Sequence, residues 1–446
     1  MPRRTSRWIG ARASAVTSSP RSDAPPAWIL LGRGAEGTVR AVLLDADAGE
    51  TGRVEIAAGA LPAWVDARER EAAPRWVWSD TAVWYRGLLD AGVRVSRCHD
   101  LRLTHAILRD SAFAALPEAP EWNAGSPDAE SGSETLFDVA GASGVPDDAD
   151  AASAEFARQR TALGSSPQPD RLRLLLAAES AGALIASELR AAGLPWDAAA
   201  HDTVLTEVLG PRPLAGGTPA ELERTGAAVR EALADPALSL DSQPKLLRAL
   251  HRSGILVEST SRWELARHDH PAIAPLLAYK KLARLHAANG WAWLATWVHD
   301  GRFRPVYVPG GVVTGRWASS GGGALQLPRQ LRAAVRADPG WTLIVADVAQ
   351  LEPRVLAAMA RDMAMAEAAR GRDLYAGIVE RGAVATRAEA KIATLGAMYG
   401  ATTGDSGRLV PRLRAVFPRA MELVDEAART GEEGGIVTTW LGRSSP

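Results

Sequence analysis

The sequence has almost no cysteine. Cys98 is the one thiol in 446 residues, which excludes a disulfide framework and a cysteine-rich zinc site. It fits a reducing cytoplasm. Lysine is nearly as scarce: only Lys245, Lys280, Lys281 and Lys391 stand among 51 basic residues. A GC-rich genome explains the arginine excess, so a surviving lysine is mildly informative. No long apolar run exists. The most apolar stretch, Leu174 to Leu194, is broken by Glu179, Glu188 and Arg190, which excludes a membrane span there. The first 22 residues contain no acid and are rich in Arg and Ser. That composition matches a transit peptide, but without an apolar core it is not a signal peptide. A disordered tail over residues 1–26 is the expectation.

With 47% apolar and 23% charged residues, the chain is ordinary globular protein, long enough for about two to four domains. The net charge of −1 conceals a split. From Lys280 onward there are 22 basic and 15 acidic side chains, whereas residues 115–170 hold 2 basic and 11 acidic ones. A basic C-terminal part beside an acidic segment suggests a polyanionic partner for one region. The runs AWILLGRG, TVRAVLLDAD and GRVEIAAG, then a helix and strand mixture, indicate an α/β domain. Residues from about 117 to 170 read as a flexible acidic insertion. Helical patterns dominate from Arg171 to Thr296, and strand-like runs return at Arg302.

Three clusters carry chemistry. In the first, Thr314 to Arg332, Gly310 to Arg316 nearly matches a phosphate-cradling P-loop. Arg316 replaces the required lysine and Trp317 the magnesium-binding hydroxyl, which excludes a P-loop NTPase. The loop is either an ordinary glycine-rich turn, or one whose Arg316, Gln326, Arg329 and Arg332 touch phosphates and base edges. In the second cluster, an apolar strand over Leu343–Ala346 is expected to end in Asp347, with a helix from about Gln350. Asp347 is either a metal ligand aimed into a cleft or a helix N-cap. Glu352 follows five residues later. In the third, Thr386-x-x-Glu389 is a capping box, so a helix should begin near Arg387. Arg387, Lys391, Leu395 and Tyr399 then share one broad face. This suits a nucleoside triphosphate with its phosphates near the helix start, or a solvated basic stripe grading into core.

In order and spacing, these clusters resemble family A DNA polymerases, the DNA polymerase I type. The resemblance rests on Thr314-Gly315-Arg316, Gln326, Asp347, Gln350, Glu352, Arg354, Arg387, Lys391, Tyr399 and Gly400. The segments LDSQPKLLRAL, STSRWELARHDHPAI and LLAYKKLARL also resemble that family's thumb. The match runs from about Leu240 to Gly442 and is similar to actinobacterial proteins described as bifunctional 3′–5′ exonuclease and DNA polymerase. It implies a multidomain α/β fold: a degenerate, ribonuclease H-like exonuclease-type domain over 27–196, a helical thumb over 197–300 and an incomplete palm and fingers over 301–446. The implied activity is template-directed DNA synthesis from deoxynucleoside triphosphates on primer–template DNA. A monomer in the bacterial cytoplasm, associated with the nucleoid, is expected.

The resemblance also implies roles. Asp347 would be one of two carboxylates holding a Mg²⁺ pair. Arg387 and Lys391 would bind the triphosphate, with Lys391 neutralising charge as pyrophosphate leaves. Gln350, Glu352, Leu395 and Tyr399 complete the nucleotide site, Tyr399 partnered by Glu352, which would crowd a 2′-hydroxyl. Arg316 and Gln326 would contact the primer–template near its end. Lys280, Lys281 and Arg284 would touch duplex phosphates. Leu395 departs from the family's usual Phe or Tyr, and Asp373-Leu374-Tyr375 stands where Asp-Ile-His is usual. The family's later His-Asp-Glu motif, which supplies the second metal carboxylate, has no counterpart in the 46 residues after Gly400. A truncated sequence is therefore expected. The exonuclease carboxylates are also out of place: the first strand ends in Gly32-Arg33-Gly34, with Asp45, Asp47, Asp80 and Glu179 only near the expected positions. The competing readings are a non-catalytic primer–template-binding remnant and a metal-dependent nuclease.

Overall fold

The run Trp28–Arg33 is apolar on both faces, as a strand covered on both sides must be. In the computed structural model it is β1, with Ile29, Leu30 and Leu31 fully buried. The structure describes residues 25–117, 145, 147–371, 373–400 and 404–445. Residues 1–24 of the expected tail and 118–144 of the expected insertion lie outside them. β2 (Thr38–Leu44) and β3 (Glu50–Ala57) fold back antiparallel, and β4 (Arg75–Trp78) and β5 (Cys98–Asp100) run parallel to β1 and its neighbour. The sheet order is β3-β2-β1-β4-β5. Helices α1 (Leu61–Ala72), α2 (Thr81–Asp90) and α3 (Leu101–Asp110) connect and follow the strands. Aspartates at strand ends start two of them: Asp80 accepts from the Ala82 N–H and Asp100 from the Leu103 N–H.

The acidic segment does not stay irregular to residue 170. Helix α4 (Ala149–Gly164) occupies its last third, N-capped by Asp148, which accepts from the Asp150 and Ala151 N–H groups. Its inner face is Ala149, Ala152, Glu155, Phe156, Gln159 and Ala162, all buried. Only one of these is a large apolar residue, so the helical stripe is hidden from a hydrophobicity reading. Glu155 is satisfied inside by His105 at 2.7 Å, Arg158 at 2.6 Å and Gln159 at 2.6 Å. Gly32 permits the packing: a Cβ there would lie 2.3 Å from the Ala149 Cα. Helix α5 (Pro169–Ala192) follows.

The chain forms two compact units, one of residues to Leu184, Gly310–Arg316 and from Ile344, the other of Ile185–Pro309 and Trp317–Leu343. The second is mainly helical: α6 (Ala198–Leu209), α7 (Ala220–Ala232), α8 (Gln243–Arg252), α9 (Arg262–Leu265), α10 (Ile273–Asn289) and α11 (Trp291–Trp297). Strands β6 (Leu194–Pro195), β7 (Val298–His299) and β8 (Arg302–Phe303) form a small sheet, and β9 (Val306–Val308) pairs with β10 (Ala318–Gly321). Leu222, Val229, Leu250 and Leu276 fill one core, and Trp196, Trp291, Trp293 and Phe303 another.

The first unit continues with α12 (Leu351–Met359), α13 (Met363–Ala369), α14 (Leu374–Glu380), α15 (Arg387–Met398), α16 (Gly404–Val416) and α17 (Pro418–Glu432), then a hairpin, β11 (Val437–Thr438) and β12 (Ser444–Ser445). Met365, Leu374, Ile378, Leu413 and Phe417 form its core. The strand expected over Leu343–Ala346 is not formed. Ile344 and Val345 are 91% and 93% exposed, and no described strand pairs with them. Strand propensity is strong here, but without a neighbouring ladder the backbone groups stay with solvent. No described helix is long and apolar enough to cross a membrane.

Helix α14 lies directly on α13, since a Cβ at Gly377 would come 2.1 Å from the Ala368 carbonyl oxygen. Gly377→Ala should therefore lower stability by about 1–3 kcal/mol, measured by denaturant unfolding. An unchanged midpoint would refute this packing.

Candidate nucleotide and nucleic-acid interface

Helix α15 begins where the capping box places it. The Thr386 hydroxyl accepts from the Glu389 N–H at 3.2 Å, and the Glu389 carboxylate accepts from the Thr386 N–H at 3.3 Å. Ala390, Ala393 and Thr394 are buried. The opposite face carries Arg387 and Lys391, exposed, Leu395, half-buried, and the exposed Tyr399 at the C-cap. The rise of a helix puts Arg387 about 12 Å from Leu395 along the axis, so cations and an apolar side chain follow one another on one open face.

Asp373 holds the start of this face. Its Oδ2 accepts from the Arg387 guanidinium at 2.8 and 3.3 Å and from Gln350 Nε2 at 3.1 Å. Its Oδ1 accepts from the Ala376 N–H at 2.9 Å, which caps α14. Arg387 also lies over the Tyr375 ring, 5.5 Å from its centroid. Gln350 precedes α12 in the left-handed region, at φ 51° and ψ 44°, a conformation that costs a non-glycine residue about 1 kcal/mol or more. Arg354 supports it, donating to the Ala349 carbonyl at 2.9 Å and to Gln350 Oε1 at 3.2 Å.

At the other end of the face, the Tyr399 hydroxyl donates to Glu352 Oε1 at 2.6 Å. Arg316 Nη2 donates to that hydroxyl at 2.6 Å and to the same carboxylate oxygen. Its guanidinium lies 5.3 Å from the Tyr399 ring centroid. The structure thus brings Arg316, Glu352 and Tyr399 together, and Gln350 with Arg387 through Asp373. Nothing in the sequence pattern marked Asp373 as this junction, although an Asp before the apolar run LYAGIVE is a helix-start signal.

Asp347 is exposed, within the irregular run before α12. Among the described residues no three His, Cys, Asp or Glu side chains converge to hold a metal ion. The donor set described here does not fit a two-ion site.

In the second unit, Lys281 and Arg284 stand on α10 and line a cavity of about 300 Å³ with Gln326, Gln330 and Asn289. Arg329 and Arg332, both exposed, are three apart on a 3₁₀ turn, Arg329–Ala334, which places them one above the other. Lys280 does not join this surface. It is half-buried, its ammonium donating to the Thr260 hydroxyl at 2.6 Å and to the Thr260 carbonyl. Position 280 lies 100° around the helix from 281, toward that loop.

At the C-terminal end of β1, no exonuclease-type carboxylate cluster exists among the described residues. Arg33 pairs with Asp147 at 2.9 Å, and Asp147 also accepts from the Trp84 indole at 2.7 Å and from the Ser79 hydroxyl. Asp45 closes its own turn, Asp80 pairs with Arg102 at 2.7 Å, and Glu179 pairs with Arg443 at 2.8 Å.

The fold is the mixed α/β, helix-rich one of a family A polymerase domain. It matches the POL domain of Pol1 from M. smegmatis, solved in complex with DNA primer-template and dNTP, with a TM-score of 0.65 and 17% identity over 93% of this chain and 77% of that one. Residues 239–446 match the model of DNA polymerase family A. DNA polymerase I of Chloroflexus aurantiacus is 30% identical over 234 residues, 46% of this chain and 25% of that protein. The thermostable DNA polymerase I of Thermus aquaticus is 26% identical over 220 residues, 43% of this chain and 26% of that protein. The enzyme of Geobacillus stearothermophilus is 28% identical over 209 residues, 40% and 24%. The matched stretch thus spans about a quarter of these relatives' length.

Arg387 and the Ala376 N–H hold the Asp373 carboxyl below the usual carboxylate range. A depressed carboxylate stabilises the folded state above its unfolded-state pKa, and this is lost as pH falls through the folded value. The Asp373–Arg387 contact should therefore persist through mild acid and open only below about pH 3.9, the ordinary aspartate value. The side-chain carboxyl ¹³C shift of Asp373 checks this. A midpoint at or above that pH would show that the ion pair does not form in solution.

Proposed function

We propose that this chain binds primer–template DNA and an incoming deoxynucleoside triphosphate, and adds nucleotides to the primer under template direction. The observation that carries the reading is the α15 face: Arg387 and Lys391 at the helix start, Leu395 next, and Tyr399 bonded to Glu352 at the far end. Phosphates suit the first turns, where the helix dipole and both cations favour an anion. Base and sugar suit the apolar and aromatic end. In the transfer, the primer 3′-hydroxyl oxygen forms a bond to the α-phosphorus and pyrophosphate departs. Arg387 and Lys391 neutralise the charge on that leaving group. Lys281, Arg284, Arg329 and Arg332 would lie along the nucleic-acid backbone, and Arg316 and Gln326 near the primer end. In this reading Asp347 would be one carboxylate ligand of Mg²⁺, a site for which the described residues supply no group of three or more donors.

Strand order β3-β2-β1-β4-β5 supports a ribonuclease H-like, 3′–5′ exonuclease-type origin for the N-terminal region. The Arg33–Asp147 pair supports the view that its metal site is degenerate. In the same reading 197–300 is thumb-like and 301–446 is partial palm and fingers, acting as a monomer beside bacterial DNA in the cytoplasm. That no three His, Cys, Asp or Glu side chains among the described residues converge to hold a metal favours a second reading, a domain that holds primer–template without extending it.

Primer extension separates the two. Asp347→Ala should abolish incorporation while leaving DNA affinity within about twofold, because removing one exposed carboxylate takes away no phosphate contact. Lys391→Ala should raise the KM for dNTP at least about tenfold, the loss of one charge-assisted bond. If the unaltered chain binds primer–template but incorporates nothing, the second reading stands.

A further inference from the structure

The N-terminal sheet has a cavity of about 380 Å³, at the end opposite the Arg33–Asp147 pair. It opens where β1, β4 and β5 begin, Trp28 beside Arg75 and Trp76 beside Cys98. Four guanidiniums line it, those of Arg75, Arg97, Arg160 and Arg173, and no carboxylate does. Arg75 donates to the Cys98 carbonyl at 3.1 Å, Arg97 to the Ala73 carbonyl at 3.0 Å and Arg160 to the Asp47 carbonyl at 3.3 Å. These are neutral acceptors that use one or two of five donors each. Among the described residues, none of the three has a carboxylate within ion-pair distance. Elsewhere on this sheet Arg33, Arg40, Arg53 and Arg102 all have one. Only Arg173 is paired, with the exposed Asp170 at 2.8 Å.

The geometry holds these cations in place. Arg75 and Arg160 lie 5.5 and 5.7 Å from the Trp28 ring centroid, so the indole fixes both guanidinium planes. Burial and the charge of Arg97 both act against the Arg75 cation, a cost that a bound anion would remove. His99 adds no charge: burial pushes its pKa down to about 4, and its Nε2 faces Gln159 at 2.8 Å. The remaining wall is apolar, with Leu163, Leu176 and Ala177.

We infer that this cavity binds a nucleoside diphosphate, its phosphates on Arg75, Arg97 and Arg160 and its nucleoside against the apolar wall. Like-charged guanidiniums gathered without a counterion call for an anion with several oxygens. The volume lies in the range of small-molecule sites, beyond what two phosphate groups alone would fill, and the apolar wall gives phosphate nothing to bind.

The test is calorimetric titration of the full chain carrying Arg387→Ala and Lys391→Ala, which strips both cations from the α15 face. The probes are ADP, inorganic pyrophosphate and adenosine. One ADP per chain is expected, tighter than pyrophosphate and far tighter than adenosine. Arg75→Ala and Arg160→Ala should each weaken ADP at least about tenfold, as expected for one charge-assisted contact. Arg160 donates its hydrogen bond to an exposed turn carbonyl, so its variant serves if Arg75→Ala does not fold. No ADP binding, or binding indifferent to both substitutions, overturns the inference. Pyrophosphate binding as tightly as ADP removes the nucleoside from it. Displacement of ADP by a single-stranded oligonucleotide would replace the small molecule with a nucleic-acid strand.

Discussion

The Asp373 carboxylate accepts hydrogen bonds from Arg387, from Gln350 and from the first turn of its own helix. Each donor belongs to a different element, so one side chain ties the starts of α12, α14 and α15 together. The strained backbone at Gln350 is held through the same junction, because its amide reaches Asp373 on one side and Arg354 on the other. Charge-assisted bonds of this kind are directional. The Arg387 guanidinium is therefore aimed before any ligand arrives, and Lys391, one turn on, inherits that direction from the rigid helix.

Most of this arrangement was legible wherever the determinant is local. A capping box needs only Thr386 and Glu389, and α15 begins where they place it. The apolar run of β1 needs only to be covered on both faces. What escaped was set by distant partners. Glu155 and Gln159 sit on the inner face of α4 because His105, Arg158 and His99 satisfy them there, and no local pattern announces that. Leu343–Ala346 has the residues of a strand but no described neighbour to pair with. Lys280 and Lys281 are adjacent in sequence, yet a helix separates them by 100°, so one reaches solvent and the other Thr260. Asp373 reads as a helix cap; its second oxygen carries the larger role.

The two ends of the N-terminal sheet are electrostatic opposites in their degree of satisfaction. At the C-terminal end of β1, Asp147 receives Ser79, Trp84 and Arg33. These donors give the carboxylate what a metal ion would otherwise supply, so the end is closed without one. At the other end, three guanidiniums face backbone carbonyls and each other. At one end of the sheet the carboxylate is satisfied from within the chain, while at the other the three guanidiniums have no carboxylate partner among the described residues.

The exposed run Trp341–Ala346 has a consequence for the chain as a material. It contains no charge and no proline, and Ile344 and Val345 face water almost completely. A short uncharged run rich in residues of high strand propensity is a template for edge-to-edge pairing between molecules. A charged residue in place of Val345 would act as a gatekeeper at no cost to packing.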